Sequence, residues 1–383
     1  MDESLFRKPS GRLHPLVGGG VAFVPAPLPP RLTPQHFLSE LSMALTAIGE
    51  LKGAARRLAN PLLLIQPMQL QEALTSSAME GTYTTAEELV LAEADPAGSA
   101  ADTREVANFT RALRHAEQRL REGQPIAHRL LCETHAILLE GVERHRGAHR
   151  LPGQYKRDQN FIGGSGIDAR FVPPPPDLAP ALMADLERFI NETPPSDPAE
   201  ALINIALAHY QFETIHPFAD GNGRMGRMLI TLLARQWGLV DHMLLYVSPE
   251  LEALKDRYIN LMFEVSACSA WEAWIVFMMH VFSQSCARTV QTIDRLLALQ
   301  DDFHERARKA GRSAHLLKLV DRLFETPVLT VPQVQRELEL TYRGAQQLVE
   351  KLQDAGIVAP VLNTRPQTFL ASAILDIIRP TAR

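Results

Sequence analysis

The sequence predicts a mainly α-helical protein. Apolar residues recur at spacings of three and four from Phe37 to Ile48, which is the period of an amphipathic helix. Comparable stretches fill most of the chain, whereas strand-like segments are few and short. Hydrophobic residues make up 46% of the 383 residues, which suffices for a core, and the net charge of −5 gives no overall reason to expect nucleic-acid or membrane binding.

The N-terminal segment, residues 1–35, is rich in glycine and proline. It contains Gly18-Gly19-Gly20 and a proline-rich run from Pro25 to Pro30, a composition that predicts an extended arm. No apolar segment typical of a secretory signal follows Met1, and no apolar run is long enough to span a bilayer. We therefore expect a cytoplasmic protein with no membrane segment.

The helical pattern of the next segment, which we assign as an N-terminal helical region over 36–110, has two expected interruptions. We expect Pro61 and Pro67 to break it, and a further helix to run from Met68 to about Met79. The stretch 84–88, Thr-Thr-Ala-Glu-Glu, predicts another helix start, with a hydroxyl cap and early carboxylates.

A core region is predicted over 111–310, interrupted at 144–176 by glycines, aromatic residues and prolines. Within this interruption, Tyr155 to Ile162 and the Gly-Gly-Ser-Gly run at 163–166 predict a short hairpin, or flap. Helices are expected on both sides, at about 101–122, 126–141, 177–193, 197–215, 223–237, 248–266 and 269–310.

The C-terminal segment, residues 312–383, predicts a winged helix-turn-helix domain after a linker at 311–313. A helix at about 314–325 precedes two more, with Thr330 and Thr341 as N-cap candidates, and short β-branched stretches follow. The segment holds nine Lys and Arg against seven Asp and Glu. Contact with DNA is therefore a weak expectation, and we favour contact with protein. The candidate base-reading residues are Arg343, Gln346, Gln347 and Lys351.

The stretch 216–227 combines residue types suited to nucleotide chemistry. A glycine turn that opens a helix presents free N–H groups to an anion, and two arginines add donors for phosphate. A histidine at one edge can take a proton, and a carboxylate can hold a hard cation. For single residues the alternatives are a packed core histidine at 216, a helix cap at Asp220, and arginines that pair with carboxylates.

This stretch, His216-Pro217-Phe218-Ala219-Asp220-Gly221-Asn222-Gly223-Arg224-Met225-Gly226-Arg227, resembles the Fic family signature, His-x-Phe-x-Asp/Glu-Gly-Asn-Gly-Arg-x-x-Arg, at all eight specified positions. The resemblance implies a Fic helical core with a short β-hairpin flap. It implies His216 as general base and Asp220 as the Mg²⁺ ligand. It also implies an ATP-binding loop made of Gly221, Asn222, Gly223, Arg224, Met225, Gly226 and Arg227, with Arg227 on the terminal phosphate.

Three further segments extend the resemblance. Ser76, Glu80 and Gly81 match the family's inhibitory pattern Ser/Thr-x-x-x-Glu-Gly/Asn. This match implies that Glu80 pairs with Arg227 and excludes the γ-phosphate. The alternative is a helix end capped by Gly81. Residues 153–163 resemble the flap that holds the target. Tyr258 is a candidate contact to the base, with a simply buried tyrosine as the alternative, and 249–254 lack the asparagines typical of relatives.

The resemblance as a whole implies a protein adenylyltransferase that uses ATP and Mg²⁺. It would transfer AMP to a Ser, Thr or Tyr hydroxyl of a target protein or of itself, with Glu80 as inhibitor, and relatives lead us to expect a homodimer. Two alternatives stay open: removal of AMP by the same site, and a DNA-binding regulator with a nucleotide-sensing core. Transfer of a uridylyl or phosphocholine group is also compatible with the loop.

Overall fold

The computed structural model describes residues 1–57, 61–94, 99–142, 151–192, 194–362 and 364–379 of a mainly helical protein. The first part of the predicted interruption, 144–150, lies outside these residues. The helices are α1 Leu38–Arg56, α2 Pro61–Ala78, α3 Ala86–Ala94, α4 Ala101–Arg121, α5 His128–Leu138, α6 Ala179–Glu192, α7 Pro198–Ile215, α8 Asn222–Gln236, α9 Ser248–Ala253, α10 Lys255–Cys268, α11 Trp271–Ala310, α12 Ala314–Glu325, α13 Val331–Glu337, α14 Tyr342–Asp354 and α15 Ser372–Ile378. The strands are β1 Gly11–Pro15, β2 Val21–Pro25, β3 Val328–Thr330, β4 Ala359–Pro360 and β5 Thr368–Leu370. Within the described residues, no helix combines the length and apolar composition that crossing a bilayer requires.

The N-terminal segment is more ordered than the extended arm that its composition predicts. Strands β1 and β2 form an antiparallel hairpin around the three glycines, and Phe23 N–H of β2 donates to Val172 O at 2.9 Å. The neighbouring Phe171 pairs with Ile162 through two backbone hydrogen bonds, so the predicted flap hairpin is reduced to a single bridge. The N-terminal hairpin is therefore hydrogen-bonded to the residue next to Phe171, the partner of Ile162 in the flap.

Helix α2 runs through Pro67, so the predicted break there is wrong. Proline inside a helix costs about 3 kcal/mol because it removes one hydrogen bond and crowds the preceding turn. Here Ile65 and Met68 on either side of the proline are buried in the main core. Packing of α2 against α4, α9 and α12 offsets the local cost.

The centre of the molecule is the pair α7 and α8, which are buried along most of their length and pack against each other. The N-cap of helix α7 is Asp197, whose carboxylate accepts hydrogen bonds from the N–H groups of Ala199 and Glu200. The helix predicted over 248–266 is divided at Leu254 into α9 and α10. The 40-residue helix α11 contacts α1, α7 and α10 and continues to the C-terminal elements.

The C-terminal elements form a three-stranded antiparallel sheet in the order β3-β5-β4 with helices around it. The two predicted N-caps are present: Thr330 and Gln333 form a capping box at α13, and Thr341 accepts from Gly344 N–H at α14. Helices α12 and α15 both pack on α2, and α14 packs on α11. The C-terminal elements therefore share a core with the rest of the chain.

Candidate active site

The candidate base, His216, stands where helix α7 ends. Its backbone is left-handed, with φ 50° and ψ 59°, and its N–H donates to Phe212 O at 3.0 Å. Nδ1 lies 3.3 Å from Glu213 O, which makes Nδ1 the donor and leaves Nε2 as an acceptor. Burial, together with the nearby Lys156 ammonium, lowers the pKa of His216 to about 4. The imidazole is therefore neutral near pH 7 and lines a cavity.

The loop after His216 is held by side chains that never reach the cavity. Asn222 accepts from Phe218 N–H at 2.9 Å and donates to Phe218 O at 2.8 Å, so its amide shapes the loop. The Phe218 ring stacks on His135 at 3.8 Å between centroids. His135 accepts from Gly153 N–H through Nδ1 and donates to Asp220 O through Nε2, both at 2.9 Å. One neutral imidazole thus joins the flap to the loop.

Helix α8 begins at Asn222, and the N–H groups of its first turn have no partner within the helix. Its N-cap is Gly221, with φ 76°, so the alternative in which Asp220 caps the helix is wrong. A Cβ on Gly223 would lie 2.1 Å from Glu80 Oε1. Only glycine at position 223 therefore allows that carboxylate to approach the start of α8.

The other motif residues on α8 divide between loop support and core. Arg224 is 2% exposed and donates to Glu105 Oε1 at 2.6 Å, and its Nη2 lies 3.9 Å from Asp220 Oδ2. Met225 is fully buried in the main core, and Gly226 lies against the Glu213 side chain. Of the four motif residues Arg224 to Arg227, Arg227 is the one that lines the cavity.

Arg227 is the centre of a buried polar cluster with the end of the α2 segment. Its Nε donates to Ser76 Oγ, and its Nη2 donates to Ser76 O and to Glu80 Oε1, each at 2.8 Å. Burial would raise the pKa of Glu80, but the Arg227 guanidinium outweighs it and the pKa is lowered. The pairing predicted from the sequence is thus present, and Gly81, with φ 83°, follows as the helix-end alternative also requires.

The cavity is lined by both polar and apolar residues. Its polar lining includes the side chains of His216, Arg227 and Glu80 together with Gly223. Tyr258 lies in the wall, but it is buried and its hydroxyl is engaged by His209 Nε2 at 2.9 Å. Apolar walls beside cationic and N–H donors suit a planar base joined to phosphates. The apolar lining residues are Met79, Ile162, Phe171, Ile259, Met262 and Phe263.

Sequence reasoning missed four residues that shape this site: Lys156, Glu213, His135 and Glu105. Glu213 could have been found, because it lies three residues before His216 on the same helical face. Burial raises the pKa of Glu213 to about 7, and among the described residues its Oε1 has no hydrogen-bond partner. The other three act across long stretches of chain and leave no local signal.

Two family models match this chain. The model described as Fic/DOC family N-terminal matches residues 38–118, and the model described as Fic/DOC family matches residues 125–234. The second match contains His216 and Arg227, and the first contains Ser76 and Glu80. The two matches therefore include both partners of the Glu80–Arg227 ion pair.

Known proteins resemble about half of the chain. Protein adenylyltransferase Fic of Drosophila sechellia is 32% identical over 197 residues, which are 50% of this chain and 36% of that protein. Its counterpart in Drosophila virilis is 32% identical over 203 residues, 52% of this chain and 38% of that protein. The chain thus spans little more than a third of the length of these curated relatives.

A solved structure extends the comparison to nearly the whole fold. The crystal structure of a Fic family protein from Desulfovibrio desulfuricans G20 has a TM-score of 0.55 and 21% sequence identity. The similarity covers 90% of this chain and 97% of that one. At this identity the similarity concerns the fold alone.

Proposed function

Because the chain belongs to the Fic/DOC family, we propose that it is a protein adenylyltransferase, which transfers AMP from ATP to a hydroxyl group of a target protein. The curated relatives that bear this activity in their name are matched over only part of their length. The proposal for this chain therefore depends on the geometry of its own site.

The observation that carries the proposal is the Glu80–Arg227 ion pair in front of the glycine turn. The Glu80 carboxylate is an anion at the N-terminal end of α8, within hydrogen-bond distance of a buried guanidinium. A γ-phosphate needs the same donors. This overlap supports a phosphate site that the chain itself blocks, and low activity is the expected resting state.

In the proposed reaction His216 acts as general base. Nε2 takes the proton of the target hydroxyl while its oxygen attacks the α-phosphorus of ATP. The new O–P bond forms as the bond to the bridging oxygen of pyrophosphate breaks, and pyrophosphate leaves with the bonding pair. A histidine with a pKa of about 4, oriented through Glu213 O, is unprotonated and ready to accept that proton at pH 7.

Mg²⁺ would be held by Asp220. The described residues contain no group of three or more His, Cys, Asp or Glu side chains arranged for a metal ion. A single carboxylate fits Mg²⁺, which commonly binds through one or two carboxylates together with substrate phosphates. The Asp220 side chain is 31% exposed beside the start of α8. When bound there, the ion would neutralise charge on the phosphate oxygens.

The target segment would bind along the flap. Ile162 uses both of its backbone groups to pair with Phe171. Since consecutive strand residues point their hydrogen-bonding groups to opposite sides, those of Phe161 face away from that pairing. The exposed Phe161 can therefore pair with an added strand. We also propose that 312–383 is a winged helix that contacts protein, supported by its order of helices and strands.

The test is the intact mass of Glu80→Gly after incubation with ATP and Mg²⁺. Loss of a charge-assisted hydrogen bond of about 1.5–3 kcal/mol should raise the affinity for nucleotide by about tenfold or more. We expect this variant to gain at least one AMP, the wild type to gain little, and the Glu80→Gly, His216→Ala double variant to gain none. Parallel incubations with GTP, CTP and UTP test the choice of nucleotide.

Glu122→Gly is the matched control. Glu122, like Glu80, is followed by a glycine with φ 83° near the end of a helix, but it pairs with Arg119 on the surface. It should leave self-modification unchanged. No mass gain in Glu80→Gly, on itself or on added proteins, would refute AMP transfer. Release of AMP from a modified protein that depends on Glu80 would instead indicate removal.

A further inference from the structure

The backbone of His216 is held in a conformation that it does not favour. A residue other than glycine in the left-handed region costs about 1–2 kcal/mol. The imidazole can meet a substrate hydroxyl only if the peptide units on both sides of His216 are fixed. Helix α7 fixes the preceding side through the bond from His216 N–H to Phe212 O. The following side must be fixed from elsewhere in the chain.

Lys156 contacts the residues on both sides of His216. Its backbone N–H donates to Pro217 O at 2.8 Å, and its ammonium donates to Ile215 O at 3.4 Å. Ile215 is the last residue of α7, where the helix dipole favours a cation. The lysine is 3% exposed, so these contacts are made away from solvent.

The lysine belongs to the flap, and the flap is joined to the same loop at two further points. Gly153 N–H donates to His135, which in turn donates to Asp220 O. Asn160 Nδ2 donates to Phe218 O at 3.0 Å. Lys156 lies between these two contacts and is the one that reaches the residues next to the base.

Resting on the proposed function, we propose that Lys156 is a positioning residue for His216, through which the flap fixes the orientation of the base. The charged groups around His216 come from several elements. Glu80 and Asp220 favour its protonated form, whereas the Lys156 ammonium opposes it. Burial lowers the pKa of Lys156 to about 7, so its charge is itself sensitive to conditions near neutrality.

The experiment compares Lys156→Met and Lys156→Arg with the parent in the Glu80→Gly background. Methionine keeps the backbone contact and removes the ammonium, and arginine restores a cation. We expect the pKa of the His216 ring, followed by NMR and assigned with His216→Ala, to rise by about one in Lys156→Met. We expect kcat to fall by about tenfold with KM for ATP within about twofold, and arginine to recover most of both changes.

Lys52→Met is the matched control. The Lys52 ammonium also donates to a carbonyl just beyond a helix end, Gly238 O at 2.9 Å, but far along α8 from the loop. Lys52→Met should alter neither the pKa of His216 nor kcat. Unchanged titration of His216 together with an unchanged kcat in Lys156→Met would overturn the proposal. If that variant does not fold, Lys156→Gln, which keeps a donor without charge, answers the same question.

The two proposals fail in different ways. If Glu80→Gly transfers no AMP, the proposed function fails, while the NMR titration still decides whether Lys156 controls His216. If AMP is transferred and the titration does not respond to Lys156, the positioning proposal alone fails.

Discussion

Replacement of Glu213 by glutamine should make the stability of the protein less dependent on pH. The Glu213 side chain is 9% exposed, and burial raises its pKa from 4.5 to about 7. Each unit of pKa difference between folded and unfolded states corresponds to about 1.4 kcal/mol. The difference of about 2.5 units therefore makes the ionised carboxyl unfavourable by on the order of 3 kcal/mol.

The sign follows from the raised pKa. Below about pH 4.5 both states of the wild type carry the protonated acid, and the group costs nothing. As pH rises from about 4.5 to about 7, the unfolded state gives up this proton while the folded state keeps it, so stability is lost, and the loss levels off above about pH 7. Glutamine has no such titration. The advantage of Glu213→Gln over the wild type should therefore grow by about 2–3 kcal/mol between about pH 5 and about pH 8.

The assay is urea unfolding of both proteins across that pH range, followed by circular dichroism. Glu72→Gln is an informative comparison, because burial also raises the pKa of Glu72 to about 7 but its carboxylate accepts two hydrogen bonds from Ser248. At low pH, Glu72→Gln should be less stable than the wild type. Glu213→Gln should not be more stable than the wild type at that pH. A Glu213→Gln difference that stays constant from about pH 5 to about pH 8 would refute the reasoning.

Three further substitutions test how the loop and the helix ends are held. Asn222→Ala removes both hydrogen bonds to the Phe218 backbone and should lower the free energy of unfolding by about 1–3 kcal/mol; an unchanged urea midpoint would contradict it. Gly226→Ala places a methyl 2.1 Å from Glu213 Oε1 and should destabilise by about 1–3 kcal/mol in the same assay. Adding Glu213→Ala should recover most of this loss, and simple additivity would speak against the contact. Thr330→Ala removes the cap of α13 and should cost about 1 kcal/mol, seen as a lower Tm; an equal Tm would exclude a role for the capping box.

The parts of the fold that the sequence predicted are those determined by short-range rules. The caps at Thr330 and Thr341, the helix over 314–325 and the long helix ending before Gly311 each follow from residues a few positions apart. The expected break at Pro67 failed because a local penalty was outweighed by packing that the sequence alone does not reveal.

In the candidate site, too, some residues could be predicted from the sequence and others could not. The Glu80–Arg227 pair was predictable because both residues stand in recognisable patterns, although 147 positions separate them. Glu105, which accepts from Arg224 across 119 positions, stands in no such pattern. Its burial and its partner are set by how α4 packs against α8. Arg224 was accordingly expected at the phosphates, whereas its guanidinium is held at Glu105.

Helix α2 contacts both α8 of the candidate site and the C-terminal helices α12 and α15. The segment just beyond it carries Glu80, and α12 and α15 of the C-terminal elements rest on the same helix. A helix rises about 1.5 Å per residue. A slide of that size would stretch the 2.8 Å contact between Glu80 and Arg227 out of hydrogen-bond range. The packing of α12 and α15 on α2 therefore bears on the position of the Glu80 carboxylate.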